Sequence, residues 1–280
     1  MTDHYAVVGN PVAHSLSPAI HAEFARQTGQ DLDYITLLAP LDGFAACVAD
    51  FRARGGKGVN VTLPFKLEAY RLATRLSVRA EQAQAVNMLG FDAGAIFGDN
   101  TDGAGLVRDI ETNLGFALAG RQVLLMGAGG AARGAVLPLL EKRPATLVIA
   151  NRTPDKAHAL ALYFARRGKC AACGYAELAG RRFDLVINAT SASVRGGPPP
   201  PLPDDIFAPG ALAYDMMYGK ALTSFLRFAQ AHGAARIADG IGMLVEQAAE
   251  SFFIWRGVRP ETAPVIAMLK TQDRGSRIED

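Results

Sequence analysis

The chain has 280 residues, of which 50% are hydrophobic and 20% are charged, a balance typical of one large globular domain or two of ordinary size. A formal net charge of +2 and the lack of a basic stripe with interleaved aromatic residues argue against a nucleic-acid or membrane partner. No apolar run reaches the length of about 18 residues that a membrane span needs. Neither the N-terminus nor the three cysteines suggest secretion, so we expect a cytoplasmic protein.

In the first third of the chain, short apolar runs alternate with helix-like segments, which is typical of an α/β fold. Strands are predicted at 5–9, 34–39 and 58–62, and more weakly in AVNML and AIFGD. The helix predicted in SPAIHAEFARQTG has Ser17 as a candidate cap, Pro18 in its first turn and Gly29 at its end.

The segment NVTLPFK ends a predicted strand with Pro64, which cannot continue the hydrogen-bond ladder. Thr62 and Lys66 are thereby placed at the carboxyl edge of the sheet, where α/β proteins bind ligands. A solvated lysine in the first turn of the next helix is the simpler alternative for Lys66.

Other polar residues of this region predict a substrate site. Ser15 and Ser17 stand two apart after the first strand, so both hydroxyls could donate to one carboxylate; alternatively, Ser17 only caps the helix. Asn87 lies within an apolar run, where a buried amide needs a partner. Asp99 and Asp102 lie in GDNTDGAG, a turn that opens a helix, and Asp102 could be no more than its cap.

A second α/β unit is predicted from about residue 121. The segment RQVLLMGAGGAARGAVLPLLEK is a strand, a glycine turn and a helix, and further strands are predicted in ATLVIANRT, RFDLVINAT, ALAYDMMY and ARIADG. Near the C-terminus, IGMLVEQAAESFFIWRG predicts an amphipathic helix. Its apolar stripe comprises Ile241, Leu244, Val245, Ala248, Phe252 and Trp255.

The glycine turn predicts a dinucleotide site. The segment GAGGAAR follows a strand and opens a helix, and its Gly127, Gly129 and Ala132 match the G-x-G-x-x-G/A pattern. Gly127 permits the tight turn, and Gly129 lets the backbone approach a pyrophosphate. The helix N-terminus then offers free N–H groups and the positive end of its dipole.

The end of the following strand indicates which dinucleotide binds. An NAD site has an Asp or Glu there, which accepts from the ribose 2′-hydroxyl. This chain instead has Asn151, Arg152 and Thr153, followed by Lys156 in the next helix. A guanidinium, a hydroxyl and an ammonium suit a 2′-phosphate, so we expect NADP rather than NAD, with a solvated basic loop as the alternative.

The segment CAAC, Cys170 to Cys173, has the spacing of metal ligands. Zinc needs more ligands than these two, and neither a second such pair nor a nearby pair of histidines accompanies them. We therefore expect small residues on a strand and no metal site.

Taken together, the segments GNPVAHSLSP, NVTLPFK, AVNML, GDNTDG, GAGGAAR, NRT, NATS and DGIGMLVEQAAESF occur in this order in one chain. The series resembles the shikimate dehydrogenase family from about residue 5 to about residue 270. The resemblance implies reduction of 3-dehydroshikimate to shikimate with NADPH, in aromatic amino-acid biosynthesis. It also implies two α/β domains with a cleft between them. A substrate and catalytic domain with a mixed, mainly parallel sheet would span 1–103, completed by C-terminal helices at 241–272, and a Rossmann NADP-binding domain would span 104–240.

The resemblance also implies roles for individual residues. The substrate carboxylate would be bound by Ser15, Ser17 and Tyr218, and its ring oxygens by Thr62, Asn87, Asp102 and Gln247. Lys66 and Asp102 would form the catalytic pair, with Lys66 preferred as the proton-transfer group and Asp102 as its partner or co-base. The cofactor would be held by Gly127, Ala128, Gly129, Gly130, Ala131, Asn151, Arg152, Thr153, Lys156, Thr190, Met216 and Gly240.

Two residues depart from the family pattern. Met88 follows Asn87 where the family usually has threonine, and Lys220 stands where the segment D-x-x-Y-x-P-x-x-T has proline. These departures leave open a quinate/shikimate-type or other hydroxy-carboxylate dehydrogenase. A non-catalytic NADP-binding sensor is the remote alternative, and both a monomer and a homodimer are compatible with the sequence.

Overall fold

The computed structural model describes residues 2–92, 94–190, 197–198, 201–219 and 221–275. The chain divides into two compact units, the first comprising Met1–Gly105 with Val245–Ile266, and the second Leu106–Leu244 with Ala267–Asp280. The predicted assignment of the substrate role to one region and of the cofactor role to the other stays a prediction. Lys220, one of the two departures from the family pattern, lies outside the described residues.

The first unit contains a mixed, mainly parallel sheet, as predicted. Its strands are β1 (Asp3–Gly9), β2 (Leu32–Leu38), β3 (Gly56–Val61), β4 (Arg75–Leu76), β5 (Met88–Phe91) and β6 (Ile96–Asp99), in the spatial order β2-β1-β3-β5-β6-β4. The strand β1 pairs in parallel with β2 and β3, and β4 pairs in parallel with β6. The strand β5 is antiparallel to both of its neighbours.

Both faces of this sheet are covered, which explains why its strands are continuous apolar runs rather than alternating ones. On one face, Ala6 and Val8 belong to a core with Phe44, Val59 and Phe65. On the other, Tyr5 and Val7 belong to a smaller cluster that includes Tyr34. The helices of the first part of the chain are α1 (Ser17–Thr28), α2 (Phe44–Ala53), α3 (Lys66–Leu72), α4 (Val78–Ala83) and α5 (Asp102–Arg108), which continues as a π-turn at Asp109–Asn113.

The start of α1 corrects one expectation about Ser17. The capping position is Leu16, whose side chain makes no capping hydrogen bond, and Ser17 is already inside the helix. Ser15 Oγ accepts the N–H of Ser17 at 3.3 Å, so it is Ser15 that satisfies a free donor there. The other end is as predicted, because Gly29 closes α1 with a left-handed φ of 63°.

The second unit contains an all-parallel sheet. Its strands are β7 (Gln122–Met126), β8 (Thr146–Ala150), β9 (Cys170–Cys173), β10 (Phe183–Asn188), β11 (Phe207–Asp215) and β12 (Arg236–Ala238), in the spatial order β12-β11-β10-β7-β8-β9. From β9 inward this is the order 3-2-1-4-5-6 of dinucleotide-binding folds. The segment CAAC forms β9, all three cysteines are free thiols, and the described residues contain no cluster that could hold a metal ion.

The remaining helices are α6 (Gly130–Glu141), α7 (Pro154–Phe164), α8 (Ser224–Ala231), α9 (Ile241–Arg256) and α10 (Ala263–Gly275). The helix α9 is buried over most of its surface in its first half, and not only along the predicted apolar stripe. Glu246 and Gln247 lie outside that stripe, yet they are only 1% and 9% exposed. Across the described part of the chain, no helix is long and apolar enough to cross a membrane.

Candidate active site

The first unit brings Lys66 and Asp102 together. Lys66 is the first residue of α3, shortly after β3 ends, and Asp102 is the first residue of α5, shortly after β6 ends. Lys66 Nζ donates to Asp102 Oδ2 at 2.5 Å, a charge-assisted hydrogen bond. The lysine side chain is 28% exposed and that of the aspartate 12%, so the pair is partly buried and accessible mainly from the lysine side.

Asn87 connects this pair to Gln247. Its Nδ2 donates to Asp102 Oδ1 at 2.8 Å and lies 3.2 Å from Gln247 Oε1. The orientation of the amide is determined by the main chain, because Asn87 Oδ1 accepts the N–H of Thr101 at 2.7 Å. The nitrogen of Asn87 must therefore face the carboxylate and the Gln247 amide. Four residues separated widely in sequence thus share one buried hydrogen-bonded cluster.

A second group of buried polar residues is hydrogen-bonded to this cluster. This group was not predicted from the sequence. Asn60 Nδ2 donates to Ser251 Oγ at 2.9 Å, and Asn60 Oδ1 accepts from the Tyr34 hydroxyl at 2.8 Å. Ser251 Oγ in turn lies 3.3 Å from Thr101 Oγ1, which touches Asn87. The available signal was Asn60 itself, a polar residue inside the apolar run GVNVT, which needs a partner when buried.

The titrating groups behind the cluster are kept neutral. Burial raises the pKa of Tyr34 well above its usual value, so its hydroxyl remains a proton donor. Burial also lowers the pKa of His21 to about 3, and this ring stacks on Tyr34 with 4.1 Å between ring centroids. Neither Tyr34 nor His21 therefore carries a charge near neutral pH.

Ser15, Ser17 and Thr62 follow two adjacent strand ends. The N–H of Asn10, just after β1, donates to Leu63 O, just after β3, at 3.0 Å. The serines therefore belong to the loop and helix start that leave the same sheet edge as Thr62. Ser17 is only 6% exposed. Within the described residues, no hydrogen bond joins either serine to the Lys66–Asp102 pair, and Tyr218 belongs to the second unit, after β11.

The glycine turn between β7 and α6 borders open space. Gly127 has φ +107°, and its N–H donates to Ala150 O at 2.8 Å, which joins the ends of β7 and β8. A Cβ on Gly129 or Gly130 would meet no atom within 4 Å, so open space borders this turn. The helix α6 begins at Gly130 and directs its free N–H groups into that space.

The predicted basic residues follow β8 in the same unit. Arg152, Thr153 and Lys156 are exposed, and Asn151 Nδ2 donates to Thr153 O at 2.9 Å. The positive charge of Arg152 acts on Tyr175, whose pKa burial nonetheless raises to about 12. Exposed cations beside a glycine turn, with no carboxylate at the strand end, fit the 2′-phosphate of NADP.

Met216 and Gly240 are brought into direct contact. A Cβ on Gly240 would lie 2.3 Å from Met216 O, and the N–H of Gly240 donates to Met217 O at 3.1 Å. Thr190 follows β10, and its Oγ1 donates to Oδ1 of Asn188, the last residue of that strand, at 2.7 Å. Thr190 and Met216 therefore follow the carboxyl ends of β10 and β11, and Gly240 directly precedes α9.

These features define a class of protein. A parallel sheet in this order, with a glycine turn at the end of its first strand, is a dinucleotide-binding domain. The ammonium–carboxylate pair of the first unit supplies groups suited to proton transfer. A dinucleotide site for hydride and a proton-transfer pair are together the equipment of a dinucleotide-dependent oxidoreductase.

Comparison with known proteins gives the family. Residues 7–89 match the family described as shikimate dehydrogenase substrate binding domain, residues 109–195 match shikimate/quinate 5-dehydrogenase, and residues 240–270 match the shikimate 5′-dehydrogenase C-terminal domain. A shikimate dehydrogenase (NADP(+)) from Nitrosospira multiformis is 68% identical, over 97% of this chain and 98% of the relative. The chain therefore belongs to the shikimate dehydrogenase family.

Two solved structures support this conclusion. An enzyme named Ael1 from Pseudomonas putida is similar with a TM-score of 0.91 and 52% identity, covering 96% of this chain and 98% of that one. Shikimate 5-dehydrogenase from Thermus thermophilus, solved with NADP(H) and shikimate, has a TM-score of 0.84 and 33% identity, covering 95% of this chain and 98% of that one.

Proposed function

We propose that this protein interconverts 3-dehydroshikimate and shikimate with NADP(H), and that Lys66 and Asp102 form its proton-transfer pair. The observation that carries the proposal is the 2.5 Å contact between Lys66 Nζ and Asp102 Oδ2, in the cluster that also contains Asn87 and Gln247. In a chain of this family, a pair so placed has the donors that a ketone reduction needs.

The chemistry of the pair follows from its charges. When bound, NADPH supplies the hydride. The Lys66 ammonium would lie against the carbonyl oxygen, stabilise the negative charge that develops on it, and donate the proton that completes the hydroxyl. Asp102 balances the charge of Lys66 and orients the lysine side chain. In the oxidative direction, the pair accepts the proton that the hydroxyl loses.

Neighbouring groups would orient the substrate. Asn87 and Gln247 present amide groups and Thr62 a hydroxyl, which suit the ring hydroxyls. Ser15 Oγ already accepts the N–H of Ser17, so its own proton remains available for a substrate carboxylate. Tyr218 is the third proposed carboxylate donor.

The cofactor assignment is supported by the fit of the second unit's residues to NADP. The pyrophosphate would lie against the open turn formed by Gly127, Gly129 and Gly130, and Arg152 with Lys156 would pair with the 2′-phosphate.

One prediction tests this preference for NADP. Arg152→Ala is expected to raise the KM for NADPH by about ten- to a hundredfold, the cost of a charge-assisted hydrogen bond, and to leave the KM for NADH nearly unchanged. Steady-state kinetics with both cofactors measures it. Arg166→Ala, which removes another exposed arginine of the second unit, is the matched control. Equal losses with NADPH and NADH would contradict the assignment.

We propose a cytoplasmic location for the protein and a homodimer as its assembly. The three free thiols support a reducing compartment. A homodimer would be detected as a doubled mass by light scattering, and β2, an edge strand with Ile35 and Leu38 exposed at 41% and 65%, is the surface we propose for it.

The activity itself is tested by following nicotinamide absorbance with shikimate and quinate against NADP and NAD. We expect kcat/KM to be highest for shikimate with NADP. Comparable activity with quinate and NAD would favour the quinate/shikimate-type alternative, and NADPH binding without turnover would favour a sensor.

A further inference from the structure

The carboxylate of Asp215 is buried directly before the segment Met216–Tyr218, and Asp215 is not one of the proposed site residues. Asp215, the last residue of β11, is completely buried. Its Oδ1 accepts from Asn188 Nδ2 at 3.1 Å and from the N–H of Met217 at 3.1 Å, and its Oδ2 accepts from Thr223 Oγ1 at 2.6 Å. One side chain therefore joins two strand ends to the start of the next helix.

The connection to the cofactor side passes through Asn188. Because the Asn188 nitrogen faces the Asp215 carboxylate, its Oδ1 must face the other way, where it accepts the N–H and hydroxyl of Thr190 at 3.1 and 2.7 Å. Only one orientation of this amide satisfies both neighbours. Asp215 therefore determines which atom of Asn188 meets Thr190.

The connection to α8 passes through Thr223. Its hydroxyl accepts the N–H of Leu226 at 3.2 Å, as a helix cap, and donates its proton to Asp215. Because the carboxylate can accept but not donate, Thr223 and the Met217 amide must both point towards it. Asp215 therefore sets the course of the main chain immediately before Tyr218.

We infer that Asp215 is a positioning residue for the reaction, which holds the Met216–Tyr218 segment so that Tyr218 meets the substrate carboxylate. The inference rests on the proposed function, since it takes Tyr218 as a carboxylate donor. Asp215 does not itself meet the substrate, because it is completely buried and already accepts hydrogen bonds on both oxygens.

The test uses two substitutions of nearly unchanged size. Asp215→Asn places an NH2 group where a donor already points, and Thr223→Val removes the hydroxyl that donates to Asp215. Each is expected to raise the KM for shikimate by about tenfold, the cost of one hydrogen bond to a charged group, with a smaller change in kcat. Thr223→Ser retains the hydroxyl and should restore the wild-type KM.

A double-mutant cycle separates positioning from a structural effect on α8. If Asp215 acts through Tyr218, Thr223→Val should raise KM in the wild type but not in Tyr218→Phe. A structural loss of the cap would lower Tm equally in both backgrounds. Additive effects on KM, or a fall in Tm with KM unchanged, would overturn the inference.

A measurement that does not depend on catalysis separates failure of the Asp215 inference from failure of the proposed function. Hydrogen exchange of the Met217 amide should be faster by about tenfold in Asp215→Asn, because its acceptor is weakened. Wild-type protein that does not turn over shikimate would refute the proposed function and with it the substrate part of the inference. Unchanged exchange at Met217 would refute the holding role of Asp215, whatever the activity.

Discussion

Lys66→Ala is expected to lower kcat by at least about a hundredfold, while the KM for shikimate changes much less. The alanine removes both the proton donor and the positive charge beside the developing oxyanion, and both act chiefly in the transition state. It also leaves Asp102 Oδ2 without the ammonium that lies 2.5 Å away. Substrate binding should depend more on the serines, Asn87 and Gln247, which the substitution does not remove.

The measurement is a steady-state comparison of kcat and KM in both directions. Lys57→Ala is the matched control, since Lys57 is an exposed lysine on β3, the strand that precedes Lys66. Asp102→Asn combined with Lys66→Ala should cost little more than either change alone, because groups that act as a unit are not additive. A Lys66→Ala enzyme with kcat near that of the wild type would show that this pair does not transfer the proton.

Gly240→Ala is expected to lower kcat by about a hundredfold, because a misplacement of about 1 Å at the cofactor can cost that much. The added Cβ would lie 2.3 Å from Met216 O, far inside ordinary contact. The obstacle is a main-chain carbonyl rather than the end of a flexible side chain. The end of β11 or the start of α9 must therefore move, and these two places adjoin Met216 and Gly240, two residues of the predicted cofactor site.

Gly90→Ala provides the control for this substitution. Gly90 lies in β5, and a Cβ there would meet only Trp255 atoms at 3.7 Å, an ordinary contact. Single-turnover measurement of hydride transfer would report the change directly, with circular dichroism to establish that the fold is retained. Near-normal hydride transfer in Gly240→Ala would mean that the Met216–Gly240 contact does not shape the cofactor site.

The strands were predictable because both sheets are covered on two faces, which leaves long apolar runs such as YAVVG and ATLVIA. The resemblance implied a mixed sheet, but it did not identify β5 as the antiparallel strand, since the direction of pairing depends on connections rather than on composition. Ser17 illustrates a local error: the sequence offered two hydroxyls at the start of α1, and the main chain begins the helix one residue earlier than a Ser17 cap requires. Cap identity depends on dihedral angles that residue types do not determine.

The residues of the proposed site were likewise predictable only in part. Lys66, Asn87 and Asp102 were recognisable as polar residues beside apolar strands and in a family pattern. The supporting hydrogen bonds were not, because Asn60 and Ser251 are 191 positions apart, in the separate segments NVTLPFK and DGIGMLVEQAAESF. A buried asparagine indicates that some partner exists, but only the packed fold shows which residue that is.

The unequal exposure of Lys66 and Asp102 has a consequence for repeated turnover. In the proposed reduction, each cycle takes one proton from the pair, and the next cycle cannot begin until solvent has replaced it. The lysine side chain is 28% exposed and the aspartate 12%, while Asp102 is engaged on both oxygens by Lys66 and Asn87. A proton from water can therefore reach the Lys66 amine directly, without breaking the hydrogen bonds that hold the Asp102 carboxylate in place.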